Sequence, residues 1–131
     1  MADEKSFGKM GEDSAYSFLC GKGFTVIGRN IRLNHTETDI IAKNDKNIIF
    51  CEVKTRSEYP DSPSPFGRPA RAVDKNKQKK LIFSAEEYIR RNRDSVEGLL
   101  PRIDVIEVYI KPNCDKYKVL KIVHIENAVH R

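Results

Sequence analysis

Residues Glu37 to Lys54 read ETDIIAKNDKNIIFCEVK, and the pattern of this stretch decides how the chain folds. Asn44, Asp45, Lys46 and Asn47 are turn formers between two apolar runs, so the stretch reads as a hairpin of the strands ETDIIAK and NIIFCEVK. Side chains alternate along a strand. Ile49, Cys51 and Val53 therefore share one face, and Ile48, Phe50, Glu52 and Lys54 share the other. Opposed residues of an antiparallel hairpin have a constant sum of numbers, which is 91 for an even loop centred between Asp45 and Lys46. Asp39 then opposes Glu52, Glu37 opposes Lys54 and Ile41 opposes Phe50, all on one face. An odd loop would put Asp39 and Glu52 on opposite faces.

Opposed side chains in a ladder stand only ~4.5–5.5 Å apart at Cβ, and like charges there are destabilising. The Asp39–Glu52 pair needs something positive beside it. Lys54 is one solution; a divalent cation is the other, since hard cations such as Mg²⁺ take carboxylate oxygens and water. A solvated strand end, neutralised by Lys54 and by the basic helix further on, accommodates the same residues without any chemistry.

Working outward, FTVIGRNIRL reads as a preceding strand bent or bulged at Gly28, which makes a three-stranded meander. Before it, Gly11 to Leu19 carries Ala15, Phe18 and Leu19 at helical spacing and stops at Gly21 and Gly23. After Lys54, residues 55–70 hold four of the six prolines and read as a mobile loop, either a lid over a substrate or a plain connection. A helix is expected over Ala72 to Arg93, with the stripe Leu81, Ile82, Ala85, Tyr88 and Ile89 lying on a sheet and Gln78 one turn earlier. RIDVIEVYI is apolar on both faces and reads as a central strand; YKVLKIVHI reads as the last. The expectation is a single α/β domain over residues 1–131, a mixed sheet flanked by helices, with a flexible segment at residues 1–8.

Composition narrows the function. No run approaches the ~18 apolar residues of a membrane span. The opening MADEKSFGKM carries two acids early and is poor in apolar residues, unlike a secretory signal, so a cytoplasmic protein is expected. Cys20, Cys51 and Cys114 are odd in number and far apart, which argues against a disulfide framework or a zinc site. Cys51 reads as a core thiol. The net charge is +5, yet Arg68 to Arg93 alone carries nine Lys or Arg against three acids, or +6. Such a segment suits nucleic acid, with Lys75, Lys77, Lys79 and Lys80 as phosphate contacts; a lysine-rich solvated helix face would look the same.

Asp39 followed by Glu52-Val53-Lys54 resembles the motif of the PD-(D/E)XK nuclease superfamily, whose fold is restriction-endonuclease-like. The longer set GEDSAYSFLCGKGFTVIGRNIR, ETDIIAKND, IIFCEVKTR, AVDKNKQKKL, RIDVIEV and HIENA resembles the YraN-like family of uncharacterised bacterial proteins, from about Gly11 to Ala128. That family is similar to the archaeal Holliday-junction resolvases. The resemblance implies that Asp39 and Glu52 bind Mg²⁺ or Mn²⁺, and that Lys54 orients or deprotonates the attacking water. It further implies that Glu12 acts through the metal's water shell, that Gln78 lies beside the site, and that Arg56 and Lys77 meet phosphates. The family's GEID run reads TETD here, so Thr36 and Thr38 depart from it at the turn and at one packing position. The implied activity is phosphodiester hydrolysis in DNA rather than RNA, on branched or structured substrates, and symmetric cutting of two strands would call for a homodimer. A non-catalytic nucleic-acid-binding module, or an adaptor docking through the proline-rich loop, fits the same residues. His35, His124 and His130 lack metal-ligand spacing and are assigned no role, and Arg102 with Asp104 reads as a structural pair.

Overall fold

The computed structural model describes residues 4–57, 74–113 and 116–129. In chain order it contains α1 (Glu4–Gly21), β1 (Thr25–Leu33), β2 (Thr36–Lys43), β3 (Asn47–Arg56), α2 (Lys75–Arg91), the short α3 (Arg93–Val96), β4 (Leu100–Asn113) and β5 (Lys116–Val129). The five strands form one sheet in the order β1-β2-β3-β4-β5. All neighbours are antiparallel except β3 and β4, which are parallel across the α2 crossover. This is the expected α/β architecture, a mixed sheet flanked by helices.

The pairs Ile40↔Cys51, Ile41↔Phe50, Ala42↔Ile49 and Lys43↔Ile48 all sum to 91, as the even loop requires. Alternation then divides the core in two. Ile49 and Cys51 join Ile40, Ala42, Ile106, Val108 and Ile110 beneath Ala15 and Leu19 of α1. Ile48 and Phe50 join Ile41, Ile103 and Val105 beneath Leu81 and Ala85 of α2. Covered on both faces, β3 and β4 can be apolar almost throughout.

The sequence reading needs three corrections. The first helix starts at Glu4, not Gly11, so residues 4–8 are helical. Phe7 and Met10 extend its apolar stripe, and the Phe7 ring meets Tyr117 edge-on at 5.4 Å. The second helix is shorter than expected, running from the Asp74 N-cap, whose side chain accepts from the Lys77 N–H at 2.7 Å, to Arg91. Neither Asp39 with Glu52 nor Glu37 with Lys54 forms a ladder pair, because the β2–β3 pairing ends at Ile40↔Cys51; on its other edge Glu37 pairs with Arg32 of β1. The proline-rich segment lies outside the described residues beyond Ser57.

The expected irregularity at Gly28 is present as a register shift between Val26 and Gly28. Leu33 pairs with Thr36 across a two-residue loop in which Asn34 and His35 both have positive φ, 53° and 62°. Two-residue hairpins favour this geometry, but it suits Asn-Gly better than Asn-His. His35→Gly is therefore expected to raise stability by ~1 kcal/mol, read as a higher urea midpoint at unchanged slope. An unchanged or lower midpoint would contradict the turn assignment.

Candidate active site

The site forms where β2 and β3 stop pairing. Beyond Ile40↔Cys51 the next amide of β3, that of Val53, donates not to a β2 carbonyl but to Asp39 Oδ2 at 2.8 Å. The register carries Asp39 and Glu52 onto the α2 side of the sheet, the face of Ile41 and Phe50, with Lys54 two residues further along the same row. Parallel pairing with β4 sets Glu107 beside Lys54 on that face. Opposite Asp39 on its other flank stands Asn30, since β1 pairs Arg29 with Ile40 and Ile31 with Thr38.

Glu12 reaches the same place from α1. A Cβ on Gly11 would lie 1.8 Å from Thr55 Oγ1, so only glycine lets the helix approach the end of β3 this closely. The next residue, Glu12, is half-buried, and its carboxyl is held above the usual range by burial and then by the charge of Asp39.

The acids strain one another. Burial, followed by the charge of Glu52, pushes the Asp39 carboxyl up to about 7, against the hydrogen bond from Val53 and the charge of Lys77. Glu52, 8 % exposed, is also raised, chiefly by burial, while Lys77, Lys54 and a hydrogen bond with Asp39 act against that rise. Ionising both acids together is therefore disfavoured. Glu52 Oε2 is buried and receives no hydrogen bond among the described residues; Lys77 Nζ stands 3.8 Å from it.

The remaining expected residues fall into two groups. Lys75, Lys79 and Lys80 are exposed on α2 and present a basic face. Lys77 is partly covered and turned toward Glu52, and Gln78 is half-buried beside it on the helix. Arg56, expected on a phosphate, donates through Nε to Glu107 Oε2 at 2.6 Å, while the Tyr109 hydroxyl donates to Oε1 of the same buried carboxylate at 2.6 Å.

Four residues of weight were not singled out from the sequence. Glu107 could have been found from its parity with Ile103 and Val105 once β3 and β4 were known to run parallel. Asn30 and Arg29 left no local signal. His124, given no role from its spacing, is buried and joins Asp104 at 2.8 Å through Nε2. Lys22 Nζ lies 2.9 Å from its Nδ1, and an ammonium there requires a lone pair on that nitrogen, so the ring proton sits on Nε2 facing Asp104. The Arg102–Asp104 pair is present as expected.

Among the described residues no group of three or more His, Cys, Asp or Glu side chains is arranged to hold a metal ion. The donors that do fit one are two carboxylates, Asp39 and Glu52, which suits a cation that keeps several waters. Glu52 Oε2, undonated among the described residues, and the raised Asp39 carboxyl are where a cation would relieve the acids.

Comparison with known proteins agrees over most of the chain. A UPF0102 protein of Caldanaerobacter subterraneus subsp. tengcongensis is 36% identical over 126 residues, covering 96% of each chain. One from Clostridioides difficile is 39% identical over 126 residues, covering 96% of this chain and 98% of the other. Among solved structures, Pyrococcus furiosus SfsA in complex with Ca²⁺ aligns over 98% of this chain and 66% of its own, at 18% identity and a TM-score of 0.39, a likeness too distant to carry function. The family model described as "Uncharacterised protein family UPF0102" matches residues 11–108, and with relatives this similar over nearly their whole length the chain belongs to that family.

Proposed function

We propose that this protein is a metal-dependent nuclease that hydrolyses phosphodiester bonds in DNA, acting in the cytoplasm on branched or otherwise structured substrates. The observation that carries the reading is the placement of Asp39, Glu52 and Lys54 on one sheet face, with Glu52 buried and Asp39 half-buried. Asp39 and Glu52 would hold Mg²⁺ or Mn²⁺, which when bound supplies a Lewis acid for the phosphoryl oxygens and a more acidic water.

The chain's own residues supply the rest. Lys54 places an ammonium beside Glu52, where it orients the attacking water and offsets phosphate charge. Val53 N–H fixes the Asp39 carboxylate, so the acid does not swing away when its proton leaves. Lys77 lowers the negative charge that a phosphate would meet at Glu52. The exposed Lys75, Lys79 and Lys80 would bind flanking phosphates, which predicts affinity falling steeply with salt. Paired cuts in a branched substrate would place two copies of the chain on it.

A non-catalytic nucleic-acid-binding module is the second reading. It is favoured by the lack of a three-ligand group among the described residues.

Glu52→Gln separates the two. Millimolar Mg²⁺ or Mn²⁺ should raise the melting temperature of the unaltered protein, because a ligand of the folded state stabilises it by mass action. The variant should lose that rise and all cleavage of a panel of branched, single-stranded and duplex DNAs, yet still bind DNA. If neither metal shifts melting of the unaltered protein, with or without DNA, the nuclease reading falls and the binding module stands.

A further inference from the structure

Two consecutive residues of β1 grip two consecutive residues of α1. Arg29 Nη2 donates to Asp13 Oδ1 at 2.7 Å, and the Arg29 guanidinium lies over the Tyr16 ring at 5.3 Å. Asn30, with its amide turned so that the nitrogen faces the neighbouring acids, donates to Glu12 Oε1 at 3.0 Å and to Glu37 Oε1 at 3.2 Å. In a regular strand residues 29 and 30 would point to opposite faces. They both reach α1 because Asn30 has φ 53°, a left-handed conformation that side-chain-bearing residues seldom adopt and that Asn tolerates better than most. A backbone held in this region at some cost is often held for a site.

The register also puts Asn30 directly across from Asp39. Its amide is the neutral donor between Glu12 and Glu37, able to hold both carboxylates in place without neutralising either. Arg29 would be a poor substitute there, since a guanidinium would repel a cation.

We propose that Asn30 is a positioning residue, which holds Glu12 and Glu37 around the Asp39–Glu52 centre so that their carboxylates orient the water shell of a bound divalent cation. This rests on the metal-binding reading above and extends it to a residue outside the D…E-x-K motif. Partners that orient a metal's surroundings typically change metal affinity 10–100-fold when lost.

The test is Mn²⁺ binding, followed by calorimetry on the full chain without DNA, for the unaltered protein, Asn30→Gly, Asn30→Asp and Glu52→Gln. Glycine accepts the left-handed backbone, so Asn30→Gly should melt no lower than the unaltered protein without metal, yet bind Mn²⁺ ~10-fold or more weakly. Asn30→Asp adds a negative charge but no donor. Orientation predicts weaker Mn²⁺ binding for it, whereas a site governed by charge count alone would bind tighter. Mn²⁺ affinity of Asn30→Gly within ~2-fold of the unaltered protein, tighter binding by Asn30→Asp, or a lower metal-free melting temperature for Asn30→Gly would each overturn the positioning role. Failure of the metal reading itself looks different: the unaltered protein would then show no Mn²⁺ binding that Glu52→Gln removes, and both inferences would fall together.

Discussion

An Asp104→Ala protein is expected to be ~3–5 kcal/mol less stable than the unaltered chain, the cost of removing one member of a buried charged network. Asp104 is fully buried on β4, and its two oxygens accept four hydrogen bonds. Oδ1 takes Arg102 Nε at 3.0 Å and the Asn127 N–H at 2.9 Å; Oδ2 takes Arg102 Nη2 at 2.9 Å and His124 Nε2 at 2.8 Å. Burial pushes the carboxyl up, but the bonds from His124, Arg102 and the Asn127 amide more than offset it and hold it below its ordinary value. The network also shapes the sheet. Ile103 pairs with Val129 but Val105 with Ile125, so β5 bulges opposite Asp104, and Asn127 adopts φ 53° within that bulge. Asp104 thus takes an amide that an unbulged ladder would give to a backbone carbonyl. Without it, Arg102 keeps a long contact to Glu126 at 3.7 Å among the described residues, and the His124 N–H loses its acceptor. Asp104→Asn keeps the shape and should cost less, because one oxygen still accepts. Urea unfolding at pH 7 measures both; a loss under ~1 kcal/mol for the alanine variant would show that the network does not pin the bulge.

Metal-free stability should fall as pH rises from about 4 to 7. The sign follows from Asp39, whose carboxyl titrates near 7 in the folded chain against an ordinary value of 3.8. Between those values the folded state holds a proton that the unfolded state has released, so raising pH favours unfolding. At ~1.4 kcal/mol for each pH unit the effect is at most ~4 kcal/mol, and water reaching a partly exposed carboxylate brings it toward ~2. Glu12 and Glu52 are raised as well and act in the same direction. Asp104 is depressed and acts oppositely, but its contribution is lost only as pH falls below about 4, outside this window. Asp39→Asn should flatten the slope. If Asp39 and Glu52 hold a divalent cation as proposed, that cation should reverse the slope, since it would bind the deprotonated acids and its stabilisation would grow with pH. Urea midpoints between pH 4.5 and 8 in the presence of a chelator, then with Mn²⁺, give the comparison. A metal-free midpoint that climbs from pH 5 to 7 would mean that Asp39 and Glu52 are not in conflict.

The hairpin was legible in the sequence because everything that sets it is local. The turn residues Asn44 to Asn47 centre the loop, and a period of two then distributes Ile41, Phe50, Asp39, Glu52 and Lys54 to one face. The α2 stripe was legible for the same reason, although Ser84 is also buried within it. The ends of elements were not. Residues 4–8 continue a helix because Phe7 finds Tyr117, more than a hundred residues away in the chain, and nothing in MADEKSFGKM announces that partner.

The sequence by itself determined that two acids and a lysine share a sheet face and that a basic helix follows them. The tertiary structure alone decided which charges remain available. Parallel pairing of β3 with β4 buries Glu107 and ties Arg56 to it, and the approach of α2 turns Lys77 toward Glu52, so two cations expected on phosphates are engaged by acids of the fold. The close passage of α1 at Gly11 brings Glu12 to Asp39, and the left-handed turn at Asn30 holds it there. Periodicity assigns a side chain to a face, but a buried carboxylate must find its donor wherever the chain brings one. That choice depends on which strand edges and helix faces meet, and it is made only when the chain folds.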